Sequence, residues 1–487
     1  MLILLFMEVR RVGDLEWTVD KTFKESMKVP IRLFGTENII KNLDPQVYEQ
    51  AANVASLPGI EKEVILMPDA HSGYGAPIGT VAAFDVNNGG IISPGMIGFD
   101  INCSVRLIRT NLTLKDVKSK LKTVVEELFK AVPSGVGSES KVKLKESDFK
   151  ELADGGARWA VEHGFGKKKD LERIELNGNA GWADSGKLSK AVIKRGLNQI
   201  GTLGSGNHYL EIEHLISTNI FDEELAKEWD LFDDQILILV HTGSRGAGHQ
   251  IASDYMNSFA KIMKSKYGIE VPDRELAAVP FLSNDGQDYY KAMGCGVNIS
   301  FANKQIILQR VREVFSKIFK SDSDSLGIDI VYDVAHNRAT LERHEVDGED
   351  LELLVHRKGA TASYYPGRKE IPALYRKEGS PVLIGGSMQT ASYLLVGSEN
   401  SRQTFCSTVH GAGRMMSRHK AKEKYDGKKL KDEMIKSGIY VDTDSLSGLA
   451  EEAGGAYKDV NEVVDSVDKA GISKKVAKFL PLGVIKG

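Results

Sequence analysis

Side chains of the kinds that bind transition metals are scattered along this chain from Asp100 to His410, each beside glycines or at the end of an apolar run. Asp100 and Cys103 stand three apart in Asp100-Ile101-Asn102-Cys103. Four histidines follow: His208 after Gly204-Ser205-Gly206-Asn207, His241 before Thr242-Gly243-Ser244-Arg245, His336 after Asp333-Val334-Ala335, and His410 before Gly411-Ala412-Gly413-Arg414. Carboxylate, thiolate and imidazole are ligands of divalent transition metals. For groups so far apart to meet, the chain has to close on one centre. That requirement favours one large α+β domain over residues 1–487 rather than a string of modules. No internal repeat, Ser/Pro linker or low-complexity tract divides the sequence.

The composition excludes several classes. Of 487 residues 41% are hydrophobic and 27% charged, as in a globular protein with a substantial core. A net charge of −3 gives no global attraction to nucleic acid, so any RNA contact needs a local basic surface. Lys167-Lys168-Lys169 and the nine Lys or Arg residues between Arg414 and Lys436 are the candidates, although such runs are ordinarily solvated helix faces. The three cysteines, Cys103, Cys295 and Cys406, form no disulfide framework and suit a reducing compartment. Met1 to Met7 is too short for a signal-peptide core and cleavage site, and no stretch approaches the ~20 apolar residues of a membrane span. A cytoplasmic protein is expected, with Met7 a candidate start and residues 1–7 outside the ordered fold.

Strand and helix patterns interleave throughout. Val64–Met67, Gly79–Phe84, Val105–Arg109, His208–Ile212, Gln235–Val240, Ile328–Val334, Pro381–Ile384 and Tyr393–Val396 read as strands. Leu114–Val132, Asp148–His163, Ser185–Asn198, Gly248–Tyr267, Ala302–Phe319 and the stretch from Arg414 onward read as helices. Asp347-Gly348 within Glu345–Val355 signals a two-residue hairpin turn.

Three constellations carry chemistry. Asp100, Cys103, His208, His241 and His336 suffice for two metals if the thiolate bridges; ligand softness favours zinc, while the carboxylate leaves manganese open. Leu203 to Asn207, Gly385-Gly386-Ser387-Met388 and His410 to Arg414 place bare backbone amides beside polar side chains, as phosphate-binding turns do. None is a Walker A or dinucleotide fingerprint. His410 is suggestive because neutral imidazole is a competent nucleophile toward phosphorus, and Arg414 could neutralise charge there. Arg245, Arg357 and Lys358 could clamp a polyanion's phosphates.

The motifs Met67 to Gly79, Gly98 to Cys103, Gly201 to His208, His241 to Asp254, Tyr332 to Asn337, His356 to Thr361 and Ser407 to Arg414 resemble, in order, those of the RtcB family of RNA-splicing ligases. The likeness runs from about residue 60 to Lys486-Gly487. It implies mixed sheets around a central cleft for metal and GTP. It implies an enzyme that joins RNA 3′-phosphate or 2′,3′-cyclic phosphate ends to 5′-hydroxyl ends, with GTP and two Mn²⁺ as cofactors, in tRNA splicing or RNA repair. By motif match His410 would carry GMP, and Cys103 would bridge one Mn²⁺ held with Asp100 and His208 and another held with His241 and His336. Guanylate binding would fall on Asn207, His208, Tyr209, Leu210, Glu211, His336, Asn337, Gly385, Gly386, Ser387, Met388, Ser392, His410, Gly411, Ala412, Gly413 and Lys486. Glu211 and Lys486 would read the guanine edge, and an archease-like activator is an implied partner.

The chain departs from the family's usual residues at Ser72, Ala76, Ser104, Ala362, Gly385 and Val409, which bears on RNA-end preference more than on nucleotide transfer. Two rivals remain. A dinuclear metal-dependent phosphoesterase could use the same ligands without GTP, and a non-catalytic RNA-binding protein would need only the basic surface. His410 as a nucleophile separates a ligase from the first, and the near-neutral charge with no aromatic-stacking motif argues against the second.

Overall fold

The computed structural model describes residues 8–135 and 137–487, so the expectation for Met1–Met7 falls outside it. Two large sheets organise the described residues. The first has seven strands in the order Val9–Arg11, Glu16–Val19, Ile31–Phe34, Val64–His71, Ile78–Asp85, Glu349–Lys358 and Asn337–Val346. The second has eight: Asp329–Ala335, Ser104–Thr113, Gln235–Thr242, Tyr209–Leu215, Ser473–Lys486, Ser392–Gly397 and Pro381–Ile384 in order, with Tyr440–Thr443 parallel to Ser473–Lys486. A short ribbon pairs Ala360–Ala362 with Ser407–Val409. Ile31–Phe34 runs parallel to Val64–His71 among antiparallel neighbours, so the sheets are mixed, as an α+β chain requires.

The expected strands all form, several with longer ends. Gln235–Thr242 extends past Val240 because both its neighbours still pair at His241, Val105 and Tyr209 lying opposite it. Asp347 and Gly348 turn the hairpin with φ of +51° and +90°, the left-handed pair that a two-residue turn demands.

Helices depart more from expectation. Leu114–Val132 is two helices, Leu114–Val117 and Leu121–Ala131, and Asp148–His163 divides at Gly156 into Glu146–Gly155 and Ala157–Glu162. Ser185–Asn198 is helical only over Lys190–Leu197 after one 3₁₀ turn, and the stretch from Arg414 becomes helical only at Arg418. The largest miss is the helix before Ala302, which starts at Asn284 and runs 36 residues to Phe319. Residues 292–308 of it are buried on every side, so no polar face marks the helical period. Gly296 has a packing reason: a Cβ there would come within 2.9 Å of Ile101. The helix thereby presses against the Asp100–Cys103 loop, and Ser300 Oγ donates to Asn102 O at 2.7 Å.

Arg357 and Lys358 correct an expectation. Neither reaches a surface where RNA could bind. Arg357 is 2% exposed and makes a fork to Glu342 (2.6 and 3.1 Å), while its Nε donates to Ser407 Oγ at 2.7 Å. Tyr364 OH also donates to Glu342, at 2.9 Å, and His344 Nε2 lies 2.9 Å from it. This knot ties the 337–358 hairpin to the ribbon that delivers His410. Lys358 donates to the carbonyls of Tyr74 and Gly95. Both cations lie at a strand end that is packed inside the molecule, which residue type alone does not reveal.

Breaking the Arg357–Glu342 pair strands a buried charge, so Arg357→Met is expected to cost about 3–5 kcal/mol in denaturant unfolding. Burial opposes ionisation of Glu342, but Arg357 and His344 hold it well below its ordinary value. Its stabilisation is therefore present above the unfolded carboxylate's value of 4.5 and lost as pH falls. The gap between wild type and variant should narrow in acid.

Candidate active site

The second sheet and the adjacent hairpin bring three distant segments to the Asp100–Cys103 loop. The 100–103 loop enters Ser104–Thr113, with Asn102 at φ +56° making the turn. Cys103 Sγ lies 3.4 Å from His208 Nε2 and 3.2 Å from His241 Nε2, and His241 Nε2 is 3.3 Å from His336 Nε2. Asp100 Oδ2 lies 2.8 Å from His208 Nε2. Two donor sets result, Asp100–Cys103–His208 and Cys103–His241–His336, each with its ligand atoms within 4.8 Å of one another. They share the sulfur.

The donor set suits a pair of cations. His208 Nδ1 lies 3.1 Å from both the Leu203 carbonyl and Arg245 Nη1, and its Nε2 faces Asp100 and Cys103, the nitrogen positioned to bind a cation. Burial, aided by Arg245, lowers the His208 value, and burial with neighbouring histidines holds His241 and His336 well below theirs. All three are thus neutral, the form that ligates. Burial opposes ionisation of Asp100, yet His208 and Arg245 bring it down to about 2. Burial pushes the Cys103 thiol up, with Asp100 adding to it, so a metal has to displace its proton. Arg245 opens the helix Arg245–Tyr267, with Nη1 3.1 Å from His208 Nδ1.

His410 belongs to the same centre, its ring centroid 5.0 Å from that of His336. Asp69 positions it. The aspartate is fully buried, its Oδ2 lies 2.6 Å from His410 Nδ1, and the same oxygen accepts the backbone N–H groups of His410 (2.9 Å) and Gly411 (3.3 Å). Burial alone would raise Asp69, but His410 and Lys458 hold it below the ordinary carboxylate range. Lys458 Nζ donates to the carbonyls on either side of Asp69, Pro68 at 2.8 Å and Ala70 at 2.7 Å. Gly413, at φ +72°, passes so close that a Cβ would stand 2.1 Å from Asp69 O. With Nδ1 turned to the Asp69 carboxylate, Nε2 is the nitrogen of His410 left for chemistry.

A cavity of about 1120 Å³ opens over His410 and His241. Its walls include Asn207, Tyr209, Lys486, the Gly385–Met388 turn and the Gly411–Gly413 turn. These turns lie together because Gly385 and Gly411 bridge in parallel and Ala412 N donates to Gly385 O at 3.1 Å. Ser392 Oγ accepts from Gly386 N at 3.3 Å, supporting the turn from behind. Asn337 is likewise a support, accepting from Gly359 N at 2.8 Å and donating to Asp100 O at 3.2 Å. Leu210 points away into the apolar core, on the opposite strand face from Tyr209 and Glu211. No helix follows His410 directly, and Arg414 is engaged by Glu452 (3.2 Å) and Tyr457 (3.0 Å) rather than by the cavity's centre.

Sequence reasoning gave no role to Asp69, Lys458, Glu452 or Tyr457, all in or beside this cavity. A carboxylate inside the apolar run Val64-Ile65-Leu66-Met67-Pro68-Asp69 was the available sign, because a buried Asp needs a partner.

The comparisons decide the family. Residues 50–487 match the family described as tRNA-splicing ligase RtcB. The chain belongs to that family. It is similar to proteins named tRNA-splicing ligase RtcB from Thermococcus kodakarensis (49% identity), Archaeoglobus fulgidus (47%) and Methanococcus maripaludis (48%), each alignment covering 98% of this chain and 99% of the relative. Among the described residues no helix is long and apolar enough to cross a membrane.

The shared sulfur makes a stoichiometric prediction. Equilibrium dialysis with a divalent transition-metal ion should show two bound ions per chain, with His336→Ala losing one and Cys103→Ala losing or weakening both by at least about 10-fold.

Proposed function

We propose that this chain is an RNA ligase of the tRNA-splicing type that seals 3′-phosphate or 2′,3′-cyclic phosphate ends to 5′-hydroxyl ends through a GMP-carrying His410. The observation that carries the reading is the Asp69–His410 pair, which leaves Nε2 free at the floor of a cavity whose walls bear two glycine turns. A phosphoesterase built on the same metal ligands has no use for such a histidine.

In this reading Asp100, Cys103 and His208 hold one Mn²⁺, and Cys103, His241 and His336 hold a second. When bound, these ions supply Lewis-acid stabilisation of charge on phosphoryl oxygens. Water first opens a cyclic phosphate to a 3′-phosphate. His410 Nε2 attacks the α-phosphorus of GTP, forming a P–N bond as the bond to the bridging oxygen breaks and pyrophosphate leaves. Asp69 keeps the proton on Nδ1 and offsets the positive charge that the ring acquires. An oxygen of the RNA 3′-phosphate then attacks the same phosphorus, and the P–N bond breaks. The 5′-hydroxyl oxygen finally attacks the RNA phosphorus, GMP departs and a phosphodiester remains.

The amides of Gly385–Ser387 and Gly411–Gly413 line the space for the nucleotide's phosphates, and Tyr209 and Lys486 flank the space for its base. Arg418, His419 and Lys420 on the cavity rim supply the local basic surface that a chain of net charge −3 needs for RNA. We place the protein in the cytoplasm, read residues 1–487 as one functional domain, and assign an archease-like protein as a partner on the family resemblance.

With α-labelled GTP and Mn²⁺, an acid-labile, alkali-stable protein adduct is expected, absent in His410→Ala and formed about 10²–10⁴-fold more slowly in Asp69→Asn. Phosphoester hydrolysis without any adduct would overturn the reading in favour of the phosphoesterase.

A further inference from the structure

Tyr74 is the most exposed large apolar side chain among the described residues, at 66%, and it lines the cavity that holds His410. A single exposed aromatic residue is ordinary on a protein surface. The mount of this one is not. Gly73 pairs both ways with the buried Gln50 amide, its carbonyl accepting from Nε2 at 2.5 Å and its N–H donating to Oε1 at 3.1 Å. Tyr74 O accepts from the buried Lys358 ammonium, which also donates to Gly95 O. Gly75, at φ +67°, passes where a Cβ would stand 3.0 Å from Glu275 O. The interior thus fixes three consecutive residues, while the ring they carry is left in solvent. A side chain that is merely solvated needs no such support.

The ring also begins an aromatic row. Phe99 meets it edge to face with centroids 6.2 Å apart, and His249 stacks on Phe99 at 4.8 Å. That edge contact leaves at least one face of the Tyr74 ring uncovered. Phe99 directly precedes Asp100, so the row runs beside the metal-ligand candidates. No sequence motif announces it, because Tyr74, Phe99 and His249 come together only in the fold.

An unpaired nucleotide needs a π-face for its base and a cation for its phosphate. Tyr74 offers the first, and Arg418 and Lys420 line the same cavity. We infer that Tyr74 is the platform on which the terminal base of an unpaired RNA end stacks, seating that end at the mouth of the cavity. The inference deepens the ligase reading and rests on it. A ligase has to hold ends of any sequence, and stacking does so because every base has a π-face. Tyr74 is a positioning residue, with the chemistry left to His410.

The test compares the full-length wild type with Tyr74→Phe, which keeps a ring, and Tyr74→Leu, which does not. One short RNA ends in a 3′-phosphate and another begins with a 5′-hydroxyl, each with its terminal base intact, replaced by 2-aminopurine, or removed. Removing the base at the seated end should weaken binding to wild type and Tyr74→Phe about 10-fold, but to Tyr74→Leu less than about 2-fold. Fluorescence of 2-aminopurine at that end should be quenched by wild type and Tyr74→Phe and not by Tyr74→Leu. In joining assays Tyr74→Leu should raise KM for that RNA about 10-fold while the maximal rate stays within about 3-fold. Coupling between base and ring at one end supports the platform and identifies the seated end. Equal losses in wild type and Tyr74→Leu at both ends overturn it. RNA that binds and quenches but is never joined would refute the ligase reading instead and leave the platform standing.

Discussion

Everything in the fold serves one contact, the Cys103 sulfur standing within 3.4 Å of His208 and 3.2 Å of His241. Residues from positions 100, 208, 241 and 336 meet there, and no local element could bring them together. The central strands of the second sheet do so by register. His241 lies opposite both Val105 and Tyr209, so the three strands deliver their ligands at one level. The hairpin that starts at Asn337 adds His336 through a backbone hydrogen bond from His336 N to Cys103 O at 3.0 Å. Burial then keeps the imidazoles neutral, which is what a cation requires of them.

His410 is held by a separate device. The first sheet carries Asp69 on an irregular stretch of Val64–His71, where pairing with Ile78–Asp85 shifts register between Leu66 and His71. That irregularity aims a carboxylate at a ribbon belonging to neither sheet. Arg357 and Glu342 anchor the ribbon from beneath, and Lys458 grips both carbonyls flanking Asp69. The metal-ligand candidates and His410 thus ride on different elements and meet where the His336 and His410 rings stand 5.0 Å apart. Cations that looked available for RNA at the sequence level are consumed in this anchoring, and the remaining basic groups sit at the cavity rim.

Much of this was legible in the residues. Strand positions, the Asp347-Gly348 turn, the five metal-ligand candidates and the cluster around His410 all follow from pattern, spacing and family resemblance, and the structure brings those side chains together. The first half of the Asn284–Phe319 helix was not legible, because a helix buried all round shows no amphipathic period. Nor was the fate of Arg357 and Lys358, since a charged residue at a strand end reads alike whether it faces solvent or a buried partner. Asp69 shares that difficulty. What a buried carboxyl does depends on its neighbour, and that is set only by the closed fold.

The most direct test of the proposed chemistry follows the phosphorus at the RNA junction. An RNA bearing a labelled 3′-phosphate is incubated with a 5′-hydroxyl RNA, GTP and Mn²⁺, and the joined product is digested to nucleotides. Label retained in the new 3′–5′ phosphodiester, dependent on GTP and accompanied by one GMP per junction, is the expected result. Label released as inorganic phosphate, or joining that proceeds without GTP, would contradict the transfer through His410.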